Sequence, residues 1–160
     1  MLKSVLIGLM LIGITVLIHS CGTTLLLRMF RRSGLPLWRR LGAAARPSIM
    51  VATAMTLLLL LIAEVLVWAT AYWMLTGITH IHDFEEAMYF SAVTFSTLGY
   101  GDITLHGDWR LLCGLEAMSG ILLSGWSTAL LFLTAQYLWF GEWRSGAEHA
   151  GDQGTPNHQH

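Results

Sequence analysis

Three long runs of apolar residues divide the chain. They extend from Val5 to Leu27, from Ser48 to Thr76 and from Leu111 to Phe140. Each is long enough to cross a bilayer, because about twenty helical residues span the hydrocarbon core. A shorter apolar run, from Phe84 to Val93, lies between the second and the third. The pattern therefore predicts three membrane-spanning helices and one re-entrant helix that is too short to cross.

The segment after the short run has two glycines around a tyrosine. Residues 94–102 read Thr-Phe-Ser-Thr-Leu-Gly-Tyr-Gly-Asp. Because glycine tolerates positive φ, Gly99 and Gly101 allow consecutive carbonyl groups to turn toward a common axis. A line of carbonyl oxygens can replace the water around a cation. This loop is therefore the first candidate for a functional site.

The hexapeptide at residues 97–102, Thr-Leu-Gly-Tyr-Gly-Asp, resembles the selectivity filter of the potassium-channel superfamily. Residues 87–91 also resemble the pore helix of that family, and residues 114–120 resemble the inner helix of its small bacterial members. The resemblance covers roughly residues 48–140. It implies an all-α membrane protein and, since one filter loop supplies a quarter of a ring, a homotetramer with a central pore.

On this interpretation the chain has four parts. A transmembrane helix would occupy residues 1–27, a basic cytoplasmic loop 28–47, a pore domain 48–140 and a disordered cytoplasmic tail 141–160. The pore domain would comprise an outer helix at 48–76, a pore helix at 84–96, the filter at 97–102 and an inner helix at 110–140. Gly8, Gly13 and Gly22 would let the extra N-terminal helix pack closely, with the outer helix as the expected partner.

The resemblance implies passive, potassium-selective conduction. The potassium ions would be held by backbone carbonyls, and the implied ion-binding residues are Thr97, Leu98, Gly99, Tyr100 and Gly101. Asp102 would lie at the outer mouth, and Val93, Thr94 and Ser96 would support the loop from the pore helix. Potassium would be the permeant ion, with no cofactor.

Two residues depart from the better-known pattern of the family. Leu98 replaces the commoner valine, and Val93 stands where some members have a glutamate that pairs with the aspartate after the filter. The acidic pair is therefore absent, which leaves a nearby Tyr or Trp as the alternative partner of Asp102.

The inner-helix segment contains two glycines, Gly120 and Gly125, at offsets that resemble the gating glycines of the family. Each is a candidate hinge, and close helix packing is the alternative interpretation. A small, partly polar stripe at helical spacing is a candidate pore face. Its members are Cys113, Ala117, Gly120, Ser124 and either Ser127 or Thr128.

Two carboxylates, Glu64 and Glu116, lie inside spanning runs. Such residues face a bundle interior or a cavity, because exposure to lipid is costly. They are either structural hydrogen-bonding groups or part of an ion or proton path. Three loop histidines and one aspartate, His80, His82, His106 and Asp83, are interpreted as solvated rather than as a metal site.

Composition agrees with a membrane protein. The chain is 54% hydrophobic and 12% charged, whereas a soluble domain carries about 25% charged residues. A net charge of −1 argues against a nucleic-acid partner, because phosphate binding needs a basic face. No group of residues has metal-ligand or catalytic spacing, so we expect no enzyme. Membrane lipids and further copies of the chain are the expected partners.

Arginines set the expected orientation. Between the first two runs lie Arg28, Arg31, Arg32, Arg39, Arg40 and Arg46, whereas residues 77–109 contain no lysine or arginine. By the positive-inside rule the arginine loop is cytoplasmic, so the N-terminus lies outside and the C-terminus inside. Cleavage of the first run as a signal peptide would reverse this topology, and we therefore interpret that run as a helix. Residues 35–41 suit either a short interfacial helix or a basic loop. The family implies the bacterial inner membrane.

Two other functions remain open. A poorly selective cation channel would have the same architecture, and a non-conducting accessory subunit would retain the loop without a current. An intramembrane enzyme using Glu64, Glu116 and a histidine is disfavoured by their spacing.

Overall fold

The computed structural model of the chain describes residues 2–30, 32, 42–75 and 81–152, with the side chains of all these except 42, 43, 108 and 140–152. Within these ranges there are four α-helices and no strand. They are α1 (Leu2–Met29), α2 (Arg46–Met74), α3 (Phe84–Phe95) and α4 (Arg110–Asp152). Short 3-10 turns at Gly42–Ala45 and Gly107–Trp109 lead into α2 and α4. The predicted all-α fold is confirmed.

Three of the helices are long and apolar enough to cross a membrane. The candidate spans are Leu2–Met29, Arg46–Met74 and Arg110–Trp139. With 12 residues, α3 is only about 18 Å long and falls well short of the ~30 Å hydrocarbon core. The protein is therefore a membrane protein with three spans and one short helix, as the apolar runs predict.

Several helix ends differ from the predicted boundaries: α1, α2 and α3 end at Met29, Met74 and Phe95 rather than at residues 27, 76 and 96. Pro47 lies in the first turn of α2, which begins at Arg46 rather than at residue 48; proline suits this position because its missing N–H would be unbonded there anyway. α4 continues to Asp152, beyond the end predicted at residue 140. Adding a residue to an existing helix costs little, since each forms one more hydrogen bond. The predictions for residues 33–41, for His80 and for 153–160 lie outside the described residues.

The short helix α3 packs between α2 and α4, and α1 packs against both of the long helices. The centre of the core is formed by large side chains from several helices, including Trp68, Tyr72, Phe90, Leu112 and Leu123. The rings of Tyr72 and Phe90 meet edge to face with centroids 5.0 Å apart. Such aromatic contacts fix the position of α3 against α2.

The buried face of α1 is largely polar or small. Its buried residues recur every three or four positions, and they are Ser4, Gly8, Leu11, Thr15, His19 and Thr23. A Cβ at Gly8 would collide with Leu115 of α4, and one at Gly22 would lie 2.6 Å from Leu60 of α2. Gly13 has no neighbour within 4 Å of such a Cβ. The expected packing against α2 therefore holds for Gly22 only, and α1 lies in the groove between α2 and α4.

Candidate functional site

The start of α3 is fixed by reciprocal hydrogen bonds. The carboxylate of Asp83 accepts from the backbone N–H of Glu86 at 2.7 Å, and the carboxylate of Glu86 accepts from the backbone N–H of His82 at 2.8 Å. The first bond satisfies an N–H group that the helix leaves free, and the second attaches the residue before the cap to the first turn. Two acidic side chains in that turn also complement the helix dipole. These contacts therefore fix the start of α3 at Phe84, directly after the capping residue Asp83.

At the other end of α3 the chain folds back onto the helix. The backbone N–H of Thr97 donates to the carbonyl of Thr94 at 2.9 Å, and the N–H groups of Leu98 and Gly99 both donate to the carbonyl of Val93, at 3.0 and 3.2 Å. In a trans peptide the N–H and C=O of one unit point in opposite directions. The carbonyls of Thr97 and Leu98 therefore point away from the end of α3.

The loop has positive φ at alternate residues. These angles are 59° at Thr97, 55° at Gly99 and 79° at Gly101. Glycine adopts them at no steric cost, but a β-branched residue such as threonine rarely does. A residue held in such a region costs on the order of 1–3 kcal/mol and is typical of functional segments. The strain at Thr97 was not expected from the sequence.

Residues 96–102 are exposed in the single chain. Leu98 and Tyr100, both large and apolar, have 56% and 67% of their surface accessible. An open cavity of about 770 Å³ borders the loop, and its lining includes Thr97, Gly99, Gly101, Cys113 and Ala117. The hydroxyl of Ser96 turns back to the carbonyl of Ala92 at 2.7 Å. The loop thus presents an uncovered surface on one side and is bonded to α3 on the other.

The aspartate that ends the loop has an aromatic partner. The hydroxyl of Tyr89 donates to Oδ2 of Asp102 at 2.7 Å, which confirms the expectation that a tyrosine or tryptophan replaces the missing glutamate. This hydrogen bond lowers the pKa of Asp102 below its usual value. It also connects the C-terminal end of the loop to the middle of α3.

Behind α3, Glu116 joins three helices. Its Oε2 accepts from the hydroxyl of Tyr72 on α2 at 2.7 Å, and its Oε1 lies 2.6 Å from the hydroxyl of Ser91 on α3. Ser91 Oγ also lies 3.0 Å from the carbonyl of Val65 on α2. All three side chains are fully buried. Of the two interpretations of Glu116, these contacts favour the structural hydrogen-bonding group.

One turn further along α4, Gly120 contacts the last residue of α3. A Cβ at Gly120 would collide with the carbonyl oxygen of Phe95 and would lie 2.8 Å from its carbonyl carbon. Only a residue without a side chain permits this approach. The contact supports close packing as the reason for glycine at this position.

Residues 60–137 match a family model described as ion channel. Over this segment the chain is similar to the ion-channel family. The matched segment contains the second half of α2, all of α3, the loop and α4 up to residue 137, and its type is potassium-channel-like. No curated protein and no solved structure matches the chain.

The predicted pore face of the channel is only partly compatible with its helix packing. Gly120 packs on α3, and Ser127 faces α1, so neither is available to a cavity within the chain. Thr128 is exposed, and its hydroxyl donates to the carbonyl of Ser124 at 2.9 Å. Gly125 is also exposed, with no neighbour within 4 Å of a Cβ placed there. Of the two candidate hinges, Gly125 is therefore the unobstructed one.

The second intramembrane carboxylate of the channel has a partner that sequence reasoning missed. Nδ1 of His19 on α1 lies 2.7 Å from Oε1 of Glu64 on α2, and its Nε2 lies 3.5 Å from the hydroxyl of Ser127 on α4. His19 is not among the candidate site residues that the sequence predicts. Its place in the buried polar stripe of α1 is the signal that would have found it.

Among the described residues, no three of His, Cys, Asp and Glu come together as a metal site. His82 and Asp83 instead lie at the start of α3. The backbone N–H of His82 and the side chain of Asp83 each form a hydrogen bond with Glu86 there. Both are exposed, as is His106.

Proposed function

We propose that the protein conducts potassium ions passively and selectively through a homotetrameric pore, with the carbonyls of Thr97, Leu98, Gly99 and Tyr100 as the ion-binding groups. One observation carries the proposal. The N–H groups of Leu98 and Gly99 are bonded to the end of α3, so the carbonyls of the preceding residues are directed away from the end of that helix. Free carbonyls in a row suit a dehydrated cation.

The exposed side chains of the loop support a tetramer. A single chain supplies one loop, and the large side chains of Leu98 and Tyr100 are left without cover. Cyclic assembly of identical subunits places each loop against its neighbours. The cavity beside the loop, bordered by Cys113, Gly114 and Ala117 of α4, is the surface that a neighbouring subunit would occupy.

The arginine distribution supports an orientation in the plasma membrane with the N-terminus outside and the C-terminus in the cytoplasm. In that orientation α3 and the loop open from the outside, and Asp102 with its partner Tyr89 lies at the outer mouth of the filter.

The test is ion flux from liposomes that contain the purified protein. Potassium flux should be far greater than sodium flux, and Gly99→Ala should abolish the selective current, because φ is +55° at this position and an alanine is strained there. Gly13→Ala is the matched control: this glycine is in α1, exposed, with free space for a methyl group.

Three results would contradict the proposal in different ways. Equal permeability to sodium and potassium would indicate the weakly selective cation channel. Absence of any flux from a folded tetramer would indicate the accessory subunit. A selective current that survives Gly99→Ala would exclude residues 97–101 as the filter.

A further inference from the structure

The hydroxyl of Ser91 lies within hydrogen-bonding distance of two other oxygens. Ser91 Oγ lies 2.6 Å from Oε1 of Glu116 and 3.0 Å from the carbonyl oxygen of Val65. Both separations are within hydrogen-bonding range for two oxygens. A serine hydroxyl carries one proton and a carbonyl carries none. One hydroxyl proton can be shared between two acceptors, but a proton on Glu116 gives each of the two separations a hydrogen of its own.

We propose that Glu116 is an uncharged carboxylic acid and that, in this form, it is the positioning residue of the filter. The proton on Oε1 is donated to Ser91 Oγ, the hydroxyl of Ser91 donates to the carbonyl of Val65, and the hydroxyl of Tyr72 donates to Oε2 of Glu116. Every proton in this chain of bonds then has one acceptor. The role as filter support rests on the proposed function, whereas the protonation does not.

Burial points the same way. The side chain of Glu116 is fully buried, and its partners among the described residues are two hydroxyl groups and no cation. An ionised carboxylate in such surroundings costs several kcal/mol unless it is paired, so the group is more stable when neutral. Two hydroxyls are sufficient partners for the neutral acid.

The contacts of α4 explain how Glu116 acts on the loop. Ser91 and Phe95 are one turn apart on α3, and they meet Glu116 and Gly120, which are one turn apart on α4. Between the two contact points lies Val93, whose carbonyl holds the N–H groups of Leu98 and Gly99. A shift of α3 against α4 therefore moves the carbonyls of the loop.

Glu116→Gln separates the neutral acid from the carboxylate. A glutamine amide can accept from Tyr72 through its oxygen and donate to Ser91 through its nitrogen, which reproduces the pattern of the acid. We expect this variant to keep the ratio of sodium to potassium permeability of the wild type. Loss of selectivity in Glu116→Gln would overturn the assignment of the proton.

Ser91→Ala and Tyr72→Phe each remove one hydroxyl of the chain of bonds and preserve most of the packing. Each should raise the ratio of sodium to potassium permeability about tenfold, since one buried hydrogen bond is lost. Thr56→Val is the matched control, because the hydroxyl of Thr56 is exposed and bonds only the carbonyl of Ala52 in its own helix. Unchanged selectivity in both Ser91→Ala and Tyr72→Phe would overturn the positioning role.

A second measurement does not depend on conduction. Infrared difference spectra of the wild-type protein and Glu116→Gln should show the carbonyl stretching band of a protonated carboxylic acid, lost in the variant. If only carboxylate bands change, the proposal fails. If the wild type does not select potassium but the band is present, the proposed function fails and the protonated Glu116 remains.

Discussion

Nδ1 of His19 lies 2.7 Å from Oε1 of Glu64, and both side chains are fully buried within the membrane-spanning part of the protein. The same imidazole approaches Ser127 of α4 with its other nitrogen at 3.5 Å and packs against the ring of Trp126 with centroids 5.2 Å apart. One side chain of α1 thus contacts both long helices of the channel domain. The N-terminal helix is an integral part of the fold.

His19→Leu should destabilise the protein by about 1–2 kcal/mol, the range for hydrogen bonds between membrane helices. It removes the partner of Glu64 and leaves a buried carboxyl group unsatisfied, which is the costly part of the change. The measurement is the unfolding midpoint in mixed detergent micelles. The double variant His19→Leu with Glu64→Leu should recover part of the stability lost in His19→Leu. A double variant that loses more stability than the two single variants lose together would contradict the pairing.

Asp83→Ala should destabilise α3 by about 1 kcal/mol, because it removes the side chain that caps the first turn. Amide hydrogen exchange of residues 84–88 reports this local opening, and we expect it to become faster. Glu85→Ala is the matched control, because the Glu85 carboxylate is exposed in the same turn and accepts no hydrogen bond from the described residues. Equal acceleration in both variants would mean that charge near the helix dipole, and not the cap, is responsible.

Hydropathy is sufficient to predict the spans and the short helix. A stretch of apolar residues is a local property, and its length alone decides whether it can cross the bilayer, so α1, α2 and α4 were predicted correctly. The positive φ at Gly99 and Gly101 is also local, because the residue type permits it.

The buried polar contacts could not be predicted in the same way. Hydropathy marks Glu64 and Glu116 as residues that must find partners, but the partners depend on how each helix is rotated and where it crosses its neighbour. His19 and Glu64 are 45 positions apart, and Tyr72 and Glu116 are 44 apart. Only the packed structure brings them together. The positive φ of Thr97 is equally unpredictable, since tertiary contacts override the preference of a β-branched residue.

Tyr89→Phe should raise the pKa of Asp102 toward that of a free aspartate. In the wild type the hydrogen bond from Tyr89 is the largest cause of the lowered pKa of Asp102. The bond therefore stabilises the loop fully at pH values above the usual aspartate pKa. This stabilisation is lost as the pH falls through the lowered pKa of Asp102 in the folded protein. The midpoint of the Asp102 carboxyl signal in an NMR titration should therefore move to higher pH in the variant. Tyr137→Phe is the control, because it removes a hydroxyl from a tyrosine of α4 that is remote in sequence from the loop. It should leave the midpoint of the Asp102 signal unchanged. A common midpoint for all three proteins would exclude the Tyr89 contact as the cause.

Gly120→Ala should lower the stability of the protein, whereas Gly125→Ala should not. At Gly120 a methyl group collides with the backbone carbonyl of Phe95, and because backbone atoms of two packed helices cannot shift cheaply, overpacking should cost about 1–3 kcal/mol. At Gly125 the methyl group has free space, and replacing glycine in a helix gains up to about 1 kcal/mol. The unfolding midpoint in detergent should therefore fall for Gly120→Ala and stay level or rise for Gly125→Ala.

The same pair distinguishes packing from hinge motion. If α4 bends at Gly125, the stiffer alanine helix should lower the open probability in single-channel recordings while the unfolding midpoint does not fall. A Gly120→Ala protein as stable as the wild type would show that α3 and α4 can separate at this point, and Gly120 would then regain its place as the candidate hinge. Since Phe95 precedes the filter loop by two residues, such a separation would also displace Thr97, and the ratio of sodium to potassium permeability would change with it.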